Sequence, residues 1–126
     1  MKNKFLFKFG AVALVMGTLA TTIPVSAQTY VRQSFSGKSQ KGATMSLGSG
    51  ERFLYGYGKG GSGTGVVRQV NSNAPDKTVT GIYLNGTDIN GEGYDEDSFT
   101  ADSSSEYYIK WLGESASSRA QLVLGD

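Results

Sequence analysis

The sequence predicts an all-β fold: a small antiparallel β-sandwich of about seven or eight strands, of jelly-roll, immunoglobulin-like or partly open barrel form. Three observations carry this expectation. No stretch beyond residue 27 keeps an apolar repeat of helical period. Sixteen of the 18 glycines lie after residue 27, and glycine is a poor helix residue. Short β-rich runs recur instead at roughly 8–12-residue spacing, with turn residues between them.

The first segment stands apart. Lys2, Lys4 and Lys8 give the start three positive charges and no acid. An apolar run from Gly10 to Ala20 follows, then Pro24 and the tripeptide Val25-Ser26-Ala27. A charged start, a short apolar run and a small-x-small ending predict a secretory signal over residues 1–27, cleaved to leave Gln28 first. The apolar run is roughly half the ~20 residues a membrane span needs. Residues 28–126 are then a single all-β domain of a secreted, extracellular protein, and the lysine-rich start has a bacterial character.

The expected strands follow in order: Thr29–Phe35, Ala43–Leu47, Glu51–Tyr57, Gly65–Asn71, Lys77–Leu84, Ser105–Leu112 and Arg119–Leu124. A further short edge strand is expected between Tyr94 and Phe99. Turn residues separate the runs, among them Gly37, Gly48-Ser49-Gly50, Asn73-Ala74-Pro75-Asp76 and Asn85-Gly86. Alternation is clearest where Tyr107, Ile109 and Trp111 interleave with Tyr108, Lys110 and Leu112. Apolar residues on both sides of that run predict a central strand, with Ile109 and Trp111 packed inward. Two stretches read as loops: Gly56–Gly65, with six glycines in ten positions, and the polar, acidic Asn85–Ser104.

Composition narrows the function. Removing residues 1–27 leaves nine basic against eleven acidic residues, a net charge of −2. Such a domain lacks the basic balance that nucleic acid or anionic membrane surfaces call for. The chain has no cysteine and no histidine. Disulfides, Ser-His-Asp or Cys-His hydrolysis and a His-built zinc site are therefore excluded. The expectation is a protein that is not an enzyme. Lys59 is followed by Gly60, and Gly37-Lys38-Ser39 lacks its leading glycine, so no phosphate-binding loop is read. Asn85-Gly86-Thr87 matches a glycosylation sequon and is read as a turn.

Two clusters remain. Five of the 11 acids fall between residues 88 and 97. Asp88, Asn90 and Glu92 take the first, third and fifth places of a loop that resembles the EF-hand loop, with Gly93 at the sixth. The twelfth place is Phe99 rather than glutamate. The candidate is a calcium (Ca2+) site in a sandwich loop, using a subset of Asp88, Asn90, Asp95, Asp97 and Asp102, and the alternative is a solvated acidic loop. The second cluster is aromatic. Tyr55, Tyr57 and Tyr94 lie beside the expected loops and are candidate ligand-facing rings for a sugar or a protein partner.

The stretch FTADSSSEYYIK from Phe99 to Lys110, with QLVL from Gln121 to Leu124, resembles the last hairpin of bacterial pre-peptidase C-terminal domains. The resemblance spans about a quarter of the chain. It implies a calcium-associated β-sandwich, and no residue role is carried over from it.

The leading expectation is a secreted non-catalytic binding protein, with calcium as a candidate stabiliser, recognising an extracellular glycan or a secreted protein. A second reading is an inhibitor of a secreted peptidase, entering a cleft with the Gly56–Gly65 loop. A third is a self-assembling matrix component, pairing through exposed edge strands.

Overall fold

A computed structural model describes residues 28–86 and 93–126. Residues 1–27, where the signal is expected, lie outside them, as do residues 87–92. The described residues form a β-sandwich with no helix. Its strands are β1 (Thr29–Ser36), β2 (Gln40–Lys41), β3 (Met45–Ser46), β4 (Gly50–Lys59), β5 (Gly63–Gln69), β6 (Lys77–Leu84), β7 (Gly93–Ala101), β8 (Glu106–Gly113) and β9 (Arg119–Gly125). One sheet runs β1-β9-β4-β7, the other runs β2-β8-β5-β6, and β3 pairs β8 beyond the end of β2. All pairings are antiparallel.

Strand alternation decides what each sheet buries. In β8, Ile109 and Trp111 point inward and are fully buried, as the sequence predicts, and Tyr107 is buried with them. β8 lies inside its sheet, with β5 on one side and β2 and β3 on the other. Leu54 of β4 and Leu122 and Leu124 of β9 meet these residues from the opposite sheet. The Trp111 indole nitrogen donates to the Gly37 carbonyl at 3.0 Å, so its one polar group is satisfied inside the core.

Arg52 also points inward, and sequence reasoning did not single it out. Its guanidinium donates to the carbonyls of Leu47, Ser49 and Glu51 at 2.8–3.1 Å and lies over the Tyr30 ring. A buried charge needs such partners. Here they are the backbone of the turn preceding β4, which the arginine holds in place.

Two expectations on loops are corrected. Gly56–Gly65 is not a long loop. β4 continues to Lys59 and β5 begins at Gly63, leaving a three-residue turn between the sheets. Gly60 and Gly61 make that turn at φ of 76° and 149°, a region side chains disfavour. Gly56 and Gly58 are strand residues on the inward face of β4. A Cβ on Gly58 would stand 2.7 Å from the Leu84 Cβ, and one on Gly56 would stand 2.5 Å from a Leu122 methyl. Gly58 is there because Leu84 of the opposite sheet comes too close for anything larger, and Gly56 because the Leu122 side chain of the neighbouring strand β9 fills its place, not because the chain is loose. In Asn85–Ser104 the edge strand expected between Tyr94 and Phe99 is present and runs past both ends, so the loop is shorter than expected. β7 fills residues 93–101 and pairs β4 along its whole length.

Ala43–Leu47 shrinks to β3, and β2 was not expected. Together they are an interrupted edge along β8, with the Gly42 N–H donating to the Ile109 carbonyl at 2.8 Å between them. Two-residue strands hold too few positions for alternation to show.

Candidate functional site

The period of two along β4 separates Arg52, Leu54, Gly56 and Gly58, which face the core, from Phe53, Tyr55, Tyr57 and Lys59, which face outward. The pairing register then builds rows across the outer face of the four-stranded sheet. One row is Ser34–Gln121–Tyr57–Tyr94 and the next is Arg32–Val123–Tyr55–Glu96. All three candidate ligand-facing tyrosines therefore stand on one surface, in two adjacent rows. They come from strands, not from the loops that drew attention to them.

Tyr57 and Tyr94 are cross-strand partners, with ring centroids 5.0 Å apart and planes tilted by 48°. Tyr94 is 45% exposed. Its hydroxyl donates to Glu96 at 2.6 Å, which fixes the ring on the surface. Burial of the phenol and the neighbouring Glu96 carboxylate push its pKa well above the usual tyrosine value. The half-buried Tyr55 is raised as well, first by burial, with Arg32 pulling it down and Glu96 adding to the rise. Both tyrosines are thus neutral hydrogen-bonding groups across the physiological range.

The platform continues into an open groove of about 460 Å³. Tyr57 belongs to both. Ser34, Gln40 and Gln121 line the groove with hydroxyl and amide groups, and Lys59 and Arg119 line it with charge. Sequence reasoning missed these residues. They arrive from β1, β2, β4 and β9, and only long-range pairing brings them together. A partial signal was present in β9, where polar Arg119 and Gln121 alternate with apolar Ala120, Leu122 and Leu124.

The acidic candidates are distributed differently. Asp88 and Asn90 lie outside the described residues. Asp95 and Asp97 share the side of β7 that faces the other sheet. One Asp97 oxygen accepts the Thr80 hydroxyl at 2.9 Å, and one Asp95 oxygen accepts the Tyr83 backbone N–H at 3.2 Å. Their other oxygens accept the N–H of Ser98 and of Glu96. Thr80 and Tyr83 belong to β6, the edge of the opposite sheet, so these carboxylates lace two sheet edges together. Asp102 follows the far end of β7, about 20 Å along the strand from Asp95. There it accepts the backbone N–H and the hydroxyl of Ser104, which hold its carboxyl below the usual range. Asp95 and Asp97 are brought together, Asp102 is not, and among the described residues no three acids gather as a metal site.

Neither the comparison with protein-family models nor that with curated proteins gives a match for this chain.

Proposed function

We propose that the chain is a secreted, non-catalytic glycan-binding protein whose binding surface is the outer face of the four-stranded sheet. The observation that carries this reading is the grouping of Tyr55, Tyr57 and Tyr94 in adjacent rows of one rigid sheet face. Aromatic rings held on strands offer flat apolar area to the faces of sugar rings, with little side-chain entropy to lose. The adjoining groove offers hydroxyl and amide partners for sugar hydroxyls. The character of residues 1–27 supports secretion.

The other readings have less behind them. An inhibitor reading relied on a long Gly56–Gly65 loop, and a three-residue turn offers little to insert into a cleft. A self-assembling matrix needs open edges; the β6 and β7 edges are bonded to each other through Asp95 and Asp97, which leaves β1 and the interrupted β2/β3 edge for such pairing.

The test is retention on a panel of immobilised polysaccharides, using protein recovered from culture medium. Retention that drops when Tyr57 or Tyr94 is changed to alanine supports the reading. Protein that stays in the cell, or that passes every glycan unretained, overturns it.

A further inference from the structure

On the outer face of the four-stranded sheet, Lys59 and Arg119 stand directly opposite each other on β4 and β9. Both are exposed. Like charges in that position repel and weaken the strand pair. Among the described residues neither carries an ion pair. The same groove holds both cations, together with Tyr57 at its border with the aromatic platform. Arg32 adds a third positive charge two rows further along, beside Tyr55. At about 3.3 Å per residue, that row lies about 13 Å from the Lys59–Arg119 row. A ligand lying across the tyrosines therefore meets positive charge on both flanks. The only carboxylate in the tyrosine rows, Glu96, is already bonded to the Tyr94 hydroxyl. Against the net negative charge of residues 28–126, this concentration of cations on one face, without an ion pair among the described residues, is a local inversion.

We infer that the glycan taken by this surface is an acidic one, a polysaccharide whose carboxylate groups are held by Lys59 and Arg119 while its sugar rings lie on Tyr57 and Tyr94. Arginine offers a planar fork that matches a carboxylate, and lysine adds a second charge from the opposite strand. A bound carboxylate also relieves the cross-strand repulsion, so the cations contribute to binding twice. The inference rests on the glycan-binding reading and adds the chemical class of the sugar.

The experiment measures binding of polygalacturonate, dextran sulfate and uncharged dextran to the secreted protein by calorimetry, at low and at moderate salt. The expected result is tightest binding of polygalacturonate, weakening as salt rises. The double variant Lys59→Gln/Arg119→Gln should lose about tenfold or more in affinity for it, with an unchanged or raised melting midpoint. Uncharged dextran bound as tightly as polygalacturonate, with the double variant unaffected, overturns the inference and leaves the glycan-binding reading standing. Dextran sulfate bound more tightly than polygalacturonate overturns the assignment of carboxylate. No binding of any of the three, together with no retention on the wider polysaccharide panel, overturns both.

Discussion

The outer faces of the two sheets carry the same residue type to opposite ends. On the five-stranded sheet, Tyr108 is covered. Its hydroxyl donates to Asp76 at 2.7 Å, and the Lys41 ammonium lies 4.4 Å from its ring centre. Arg68, beside it on β5, donates to the Thr78 hydroxyl and to the Asp76 carbonyl. That face is knitted to the loop between β5 and β6. It does expose Tyr83 and Leu112, but Thr64 stands between them in their row. On the four-stranded sheet, Tyr94 rests against Tyr57 with nearly half its surface open. The difference teaches that a tyrosine's part is set by its row neighbours. Charged partners from a loop and from β2 make Tyr108 a brace, whereas another ring from the adjacent strand leaves Tyr94 open to solvent.

The largest expected effect tests the core beneath both faces. Trp111→Ala removes a fully buried ring and should cost about 3–5 kcal/mol. That is a large share of the roughly 5–15 kcal/mol by which a domain of this size is stable. Denaturant unfolding should show both faces lost in one transition. A variant that melts near the parent would mean that the sheets do not share a core.

The next tests separate the faces. Tyr94→Ala should weaken glycan binding by about 1–2 kcal/mol, read by calorimetry, while the melting midpoint moves little. Tyr83→Ala, on the other face, should leave binding intact. Equal losses from the two substitutions would erase the distinction between the surfaces.

Tyr108→Phe should do the reverse of Tyr94→Ala. It removes the hydrogen bond that is the main cause of the lowered Asp76 pKa; the backbone N–H of Asn71 adds to that lowering. A carboxyl whose folded pKa is depressed contributes stability above its ordinary value near 3.9, and loses it as pH falls through the lowered one. The Phe variant should therefore be less stable than the parent at pH 7, and the gap should close as pH falls below about 4. An NMR titration of the Asp76 carboxyl reads the shift directly. An unchanged Asp76 titration in the variant would remove Tyr108 from its role as a brace.

The smallest effect expected is that of calcium. All four oxygens of Asp95 and Asp97 accept hydrogen bonds across or along the sheet edges, and Asp102 is remote from them. Thermal unfolding should give the same midpoint with calcium and with chelator. A rise with calcium would show that the native state binds the ion, and would return Asp88 and Asn90 to attention.

Much of the architecture was legible because it is local. The alternation in YYIKWL identifies β8, its central place and its buried ring. The run from Lys77 to Leu84 delimits β6 to the residue. Tyr55, Tyr57 and Tyr94 were legible as a group, though their proximity to supposed loops was the wrong ground. What hid the true ground was glycine. Gly56 and Gly58 read as looseness, yet they mark where Leu122 and Leu84 come up against the strand. The cations of the groove stayed hidden because the sequence does not say that β9 lies between β1 and β4. The acidic cluster is described only in part, since Asp88 and Asn90 lie outside the described residues. Its spacing suggests a loop gathering ligands, while in an extended strand alternate carboxylates reach a neighbouring edge.

The tight inward packing of β4 has a consequence for how this surface can change over time. Positions 54, 56 and 58 are held by what lies behind them, so most replacements there would be purged. Positions 53, 55, 57 and 59, interleaved with them, have no such backing. A lineage of this protein can therefore rewrite every second residue of one strand, and with it the outward chemistry of that face, while the intervening residues keep the scaffold intact.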